Sequence, residues 1–258
     1  MAHTDYSSSE LMTVNAARLL RDSDVVFVGV GLPNLACNLA RRTHAPNLTM
    51  IYEAGVIGAQ PERLPLSIGD PSLVSGAAVV CSMYEIFAFY LQRGLVDVGF
   101  LGGAQIDRWG NVNATVIGPY ANPKVRLPGS GGSAEIAAWA NRTYLITPHQ
   151  KRRFPAKCDF VTGAGFLGGG LARKQTGVRG GGPQAVVTDI GTLEPDPDGE
   201  LSLTALHPNK TIEEAQANTG WPLKIAEPIR VTEPPTADEL ALLRELDPHG
   251  IYLKGEAG

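Results

Sequence analysis

Three short stretches of the chain combine side chains and glycines in ways that could support chemistry. The first is residues 48–58, LTMIYEAGVIG. Its opening residues alternate and favour β structure, which predicts a strand over 48–52 that delivers Glu53 at its end. A carboxylate there stands where open α/β sheets place ligands, and Gly55 and Gly58 behind it permit close approach of a ligand or another backbone. The second stretch is Gly129-Ser130-Gly131-Gly132-Ser133, ahead of a short helix expected over 134–140. Successive backbone amides in such a turn form an anion-binding nest, suited to a developing oxyanion. The third is residues 105–111, QIDRWGN, which follow Gly102-Gly103. Asp107, Gly110 and Asn111 read as the turn of a hairpin, and Gln105 is expected at the carboxyl edge of the sheet beside Glu53.

Other candidates are weaker. Gly29-Val30-Gly31 has the start of a dinucleotide fingerprint, but Asn34 stands where the third glycine belongs. No acidic residue anchors a ribose unless Glu53 does. A tight turn feeding a helix N-terminus is the plainer reading. His3, His44, His149, His207 and His249 are scattered without ligand spacing, so no metal site is expected. No GxSxG elbow occurs. Lys151-Arg152-Arg153 reads as a solvated basic run.

The elements that must position these residues follow from patterning. Ser7 and Glu10 make a capping box before an amphipathic helix. The apolar run 25–28 predicts a strand covered on both faces, followed by a helix over 32–42 with Pro33 in its first turn. Strand, glycine turn, helix and the strand at 48 make a βαβ unit that ends on Glu53. Residues 61–71 read as a loop, 82–92 as a helix, 96–101 as a buried strand, 111–117 as a strand and 119–128 as a loop. Strands are expected at 143–147, 184–188 and 201–205, and a short helix at 211–217. The glycine-rich residues 163–182 read as a surface loop, mobile or ordered by a partner. A last helix is capped by Thr236 and Glu239. The expected fold is α/β, an open and mostly parallel sheet with helices on both faces, in one domain over residues 1–258.

Composition sets limits on function. The chain has 258 residues, 43% of them hydrophobic and 19% charged, enough for a large core. A net charge of −4 supplies no basic field for nucleic acid. The three cysteines, Cys37, Cys81 and Cys158, form no CxxC, so neither a disulfide framework nor a zinc site is suggested. The N-terminal residues lack a signal-peptide pattern, and no apolar run is long enough to span a membrane. A cytoplasmic protein is expected.

Four segments together resemble the β subunits of class I CoA transferases. They are VGVGLPNLACNLA (28–40), YEAGVIG (52–58), LGGAQIDRWGNVNAT (101–115) and PGSGGSAEIA (128–137), in the family's order. The resemblance implies that Glu53 attacks an acyl-CoA thioester, that Gly131 and Gly132 supply oxyanion donors, and that Gln105 lies near the thioester. Gly29, Gly31, Gly55 and Asn111 then shape the turns around substrate. Ala54 departs from the family's usual Asn or Ser at that position. Over the longer match the chain most resembles the family's steroid-ring-opening hydrolases. This implies hydrolysis of a cyclohexenone-carboxyl-CoA, with part of the active site on a homologous α subunit in a heterodimer or α2β2 assembly. True CoA transfer through a glutamyl-CoA thioester is the alternative. No cofactor is implied, coenzyme A entering as part of the substrate, and neither nucleic acid nor membrane is an expected partner.

Overall fold

The computed structural model describes residues 5–254, so His3 lies outside the described residues. The chain divides into two compact units, Met1–Phe100 with Pro234–Gly258, and Leu101–Glu233.

The first unit opens with α1 (Ser8–Arg18), started by the expected capping box: Ser7 Oγ accepts from Glu10 N–H, and Glu10 accepts from Ser7 N–H. Strand β1 (Val25–Phe27) leads through the glycine turn into α2 (Leu32–Arg42), whose bounds match those expected. Strand β2 (Thr49–Tyr52) lies parallel to β1, which completes the βαβ unit. The chain then reverses, because β3 (Val56–Ile57) pairs antiparallel with β2, and β4 (Val79–Val80) with β3. The loop between β3 and β4 is organised by Asp70, which takes both Arg63 guanidinium nitrogens at 2.8 Å and caps the single turn Pro71–Val74. Helix α3 (Met83–Glu85) continues directly as a π-helix over Ile86–Leu91. Strand β5 (Val98–Leu101) lies parallel to β1 on its other side. Within this unit the strand order is β5-β1-β2-β3-β4, with parallel pairs in the middle and antiparallel pairs at the margin. Every residue of β5, and all but the first of β1 and β2, is buried, as a near-continuous apolar run requires.

The second unit begins with two small hairpins. Strand β6 (Gln105–Ile106) pairs with β7 (Val112–Asn113), and β8 (Val116–Ile117) with β9 (Val125–Arg126). A single strand over 111–117 was the expectation. Asn113 breaks it, because its side-chain oxygen accepts from the N–H of Thr115 and Val116 and turns the chain. After α4 (Ser133–Trp139) comes β10 (Arg142–Ile146), then α5 (Ala172–Gln175), β11 (Pro183–Val187), β12 (Gly191–Pro195), β13 (Leu201–Leu206), α6 (Ile212–Ala217) and β14 (Lys224–Val231). Here the strand order is β14-β13-β12-β11-β10, with β10–β11 and β13–β14 parallel. The chain returns at Pro234 to the first unit, where α7 (Ala237–Leu246), capped by Thr236 and Glu239, packs on α1 and α2. Arg18–Glu239 (2.6 Å) and Arg244–Glu10 (2.7 Å) tie α7 to α1. The chain thus adopts the expected α/β class.

Residues 163–182 depart most from expectation. Expected as a surface loop without a regular element, mobile or ordered by a partner, they include the short helix α5 and fold around Arg173, which is 5% exposed. Its guanidinium donates to the carbonyls of Ala137, Ala164, Gly165 and Gly180 at 2.6–3.0 Å, using all five N–H groups. Several of the glycines serve close packing. A Cβ on Gly165 would lie 2.3 Å from the Trp109 carbonyl oxygen, and one on Gly169 2.3 Å from the Trp109 ring.

Candidate active site

The first unit holds Glu53, Gly29, Gly31 and Gly55. Glu53 is the first residue of a three-residue hairpin loop, since Tyr52 on β2 pairs with Val56 on β3. Its side chain is half-buried and forms no hydrogen bond or ion pair with any described residue. Among the described residues no guanidinium or ammonium forms an ion pair with it. The loop closes through Gly55, whose N–H donates to the Tyr52 carbonyl at 3.0 Å. Gly55 has φ +103° and faces the Cys81 carbonyl oxygen, which a Cβ would approach to 1.9 Å. Only glycine fits there. Ala54 is exposed.

Residues that sequence reading passed over hold this loop in place. Asn34, which spoils the glycine fingerprint, is fully buried, and its Nδ2 donates to the Tyr52 hydroxyl at 2.7 Å. The Tyr52 hydroxyl in turn donates to Met50 Sδ, and burial pushes the phenol's pKa up. Asn34 thus fixes the residue immediately before Glu53. Gly31 (φ +93°) caps α2, with its carbonyl accepting from the N–H of Asn34 and Leu35. The Tyr252 hydroxyl, from the C-terminal segment, meets the Gly31 backbone and donates to the Pro65 carbonyl. A Cβ on Gly29 would meet nothing within 4 Å, so packing does not explain that glycine.

The second unit holds Gln105, Asn111, Gly131 and Gly132. Gly129 (φ +101°) donates to the Ala114 carbonyl, and Gly131 (φ +48°) turns the chain into α4. The amides of Gly131 and Gly132 donate to no described residue, so two adjacent donors remain open for an anion. Gln105 is 7% exposed and engaged within its own unit. Its oxygen accepts from Asn113 Nδ2 (2.7 Å) and Asp159 N–H (3.0 Å), while its Nε2 donates to Asp159 Oδ2 (3.0 Å). At least three of its four bonding capacities brace the hairpin.

Asn111 is likewise a clasp. Its Nδ2 donates to Asp107 and to the Leu167 carbonyl, and its oxygen accepts from Gly165 and Leu167 N–H. The hairpin it closes has a five-residue loop, with Asp107 accepting from Trp109 and Asn111 N–H. Burial pushes the Asp107 carboxyl up. Asp107, Trp109, Asn111, Lys157, Val161 and Leu167 line a cleft of about 420 Å³ in this unit. Among the described residues no helix is long and apolar enough to cross a membrane.

The family described as Coenzyme A transferase matches residues 9–218. One of the subunits of 3-oxoadipate CoA-transferase from Pseudomonas knackmussii is 48% identical over 254 residues, 98% of each chain. The corresponding subunit of glutaconate CoA-transferase from Acidaminococcus fermentans is 35% identical, over 98% of this chain and 97% of that one. The crystal structure of the same enzyme superposes with a TM-score of 0.92 over 97% of this chain and 98% of that chain. The cholesterol ring-cleaving hydrolase IpdB subunit of Mycobacterium tuberculosis is 26% identical, over 94% of this chain and 96% of the relative. Likeness to the ring-opening subgroup, expected to be foremost, is therefore weaker than likeness to the two transferases.

Proposed function

The chain belongs to the coenzyme A transferase family, and from that premise we propose that it is the β subunit of a heteromeric transferase moving CoA between carboxylic acids of the 3-oxo-dicarboxylate kind. One observation carries this reading: 48% identity, over 98% of both chains, to a protein named as a 3-oxoadipate CoA-transferase subunit. Its partner is a separate α subunit. Ring-opening hydrolysis has 26% identity behind it and becomes the second outcome of the test below.

Glu53 is the nucleophile in this reading. Its carboxylate attacks the thioester carbonyl, the C–S bond breaks, and an acyl-glutamyl anhydride forms with release of CoA thiolate. The thiolate attacks the glutamyl carbonyl and breaks its C–O bond, which frees the donor acid and leaves a glutamyl-CoA thioester. An acceptor carboxylate then attacks that thioester, and the same two steps in reverse yield a new acyl-CoA and restore Glu53. An unpaired carboxylate at a hairpin tip suits the first step, since no counter-ion has to be removed from it. Gly131 and Gly132 are the oxyanion donors in this reading, a role worth about 3 kcal/mol per donor. Gln105 takes the place near the thioester, with most of its amide already braced.

The test is to incubate the assembled enzyme with 3-oxoadipyl-CoA, digest it, and weigh the peptide containing Glu53. A CoA adduct on Glu53 supports transfer. A ring-opened diacid carrying oxygen from labelled water, formed from a cyclic β-oxo CoA thioester, supports hydrolysis instead. Transfer activity with an unmodified Glu53 peptide overturns the assignment of the nucleophile.

A further inference from the structure

Residues 71–92 contain a single charged side chain, Glu85, and its carboxylate is occupied by the N–H and hydroxyl of Ser82 at 2.7 and 2.8 Å. The same stretch displays large apolar side chains: Val80 is 64% exposed, Tyr84 70% and Phe89 52%. Tyr84 and Phe89 meet edge to face at 5.7 Å, forming an aromatic ridge where α3 runs into the π-helix. Strand β4 stands beside it. Successive side chains of a strand point to opposite faces, and both Val79 and Val80 are exposed, so neither face of β4 is covered within its unit. It pairs along one edge with β3 and is the last strand of that unit's order. Residues 77–82, the strand and its flanks, carry no lysine, proline or charge, the usual defence of an edge strand that stays in water. Apolar, aromatic and uncharged surface of this kind has the composition of an interface core.

The face is continuous with the Glu53 loop. Cys81, directly after β4, donates its N–H to the Gly55 carbonyl at 2.8 Å, and its own carbonyl packs on Gly55 Cα. We propose that the open edge of β4 and the Tyr84–Phe89 ridge form the docking surface for the separate α subunit, which thereby brings its own residues up to Glu53. The proposal rests on the transferase reading. Two relatives matched over nearly their full length are each named as one subunit of a larger enzyme, so what completes them is a different chain. A second copy of this chain fits the face poorly. A two-fold contact would pair two copies of the same chain and bring to Glu53 no residue that this chain lacks, whereas the two relatives are each one of two different subunits.

The experiment co-expresses the chain with the product of the reading frame adjacent to its own gene and measures assembly by titration. The Val80→Lys/Phe89→Glu double variant is compared with wild type. Both sites are already exposed, so the isolated variant is expected to melt as wild type does. Burying both charges on assembly is expected to weaken it about 100-fold. Ile212→Lys, on α6 between Lys210 and Glu213, is expected to leave assembly unchanged. Hydrogen exchange over 79–91 is expected to slow in the wild-type complex. Equal affinity of the double variant and wild type, in an assembly active as a transferase, overturns the face and leaves the function standing. Failure of wild type to assemble, with no transferase activity, overturns the function as well. A wild-type chain that dimerises by itself, and that the double variant renders monomeric, assigns the face to a second copy and overturns the proposal.

Discussion

In the first unit the residue proposed to react is left without a partner, and the segment behind it exposes apolar side chains. In the second unit the polar groups around the glycine turns are clasped from several sides. Asn111 makes four hydrogen bonds, Arg173 five, and Gln105 three. The contrast separates two uses of buried polarity. A nucleophile must keep its lone pairs available, so the fold holds its neighbours, Tyr52 and Gly55, and leaves Glu53 itself alone. Backbone donors such as Gly131 and Gly132 need only be held still. For that, Asn111, Gln105 and Arg173 are bonded within the unit, while the buried Ser133 hydroxyl next to Gly132 has no hydrogen-bond partner among the described residues.

The contrast predicts that activity and stability respond to different residues. Glu53→Gln keeps size and polarity but removes the nucleophile, and transfer activity is expected to fall by about 10³-fold or more. Unfolding in urea and pairing with the α subunit are expected to stay unchanged, because Glu53 holds nothing in the fold. Turnover at the wild-type rate would instead make the chain a non-catalytic member of the complex. Arg173→Met tests the opposite unit. It leaves the carbonyls of Ala137, Ala164, Gly165 and Gly180 without their donor, and is expected to cost about 3–5 kcal/mol of unfolding free energy. A loss below about 1 kcal/mol in urea titration, the size of an exposed ion pair, would make Arg173 a bystander and erase the contrast.

Local signals made much of this fold legible. The capping boxes at Ser7 and Thr236 and the turn at Pro33 set three helices, continuous apolar runs set β1 and β5, and alternation set β2. Two-residue strands escape such reading, because β3 and β4 are too short to show a period. That hid the reversal after Glu53, which makes the loop a hairpin and not the exit of a simple βαβ unit. Strands β12 and β14 went unanticipated, and their alternation is weak, with mixed exposure along β14. In 163–182 the surface position was legible but the helix at Ala172–Gln175 and the packing around Arg173 were not, because glycine density marks tight packing as readily as mobility. Only the burial of Arg173 tells the two apart. At the site, Glu53 stood out by position. Asn34 did not, since its work is a hydrogen bond to a residue 18 positions away.

The smallest of the expected effects concerns pH and again divides the units. His149 lies in the core of the second unit, its ring 4.3 Å from that of Phe154 and its nitrogens against the hydroxyls of Thr188 (3.2 Å) and Thr219 (2.9 Å). Burial lowers its pKa from 6.5 to about 4, so the folded chain keeps the ring neutral. Burial also moves the buried His207 downward. Between pH 6.5 and 4 the unfolded chain therefore takes up a proton that the folded chain refuses. Stability is full above pH 6.5 and falls as the pH drops through this window. One shift of this size amounts to about 3 kcal/mol at its limit. Below pH 4 His149 contributes no further loss. His149→Gln is expected to be less stable than wild type at neutral pH and to flatten this part of the curve. Urea titrations of both chains at pH 7, 6, 5 and 4.5 check it. Parallel curves would move the acid sensitivity to groups other than this histidine, and with it the claim that the second unit is the one whose polar groups are held dry.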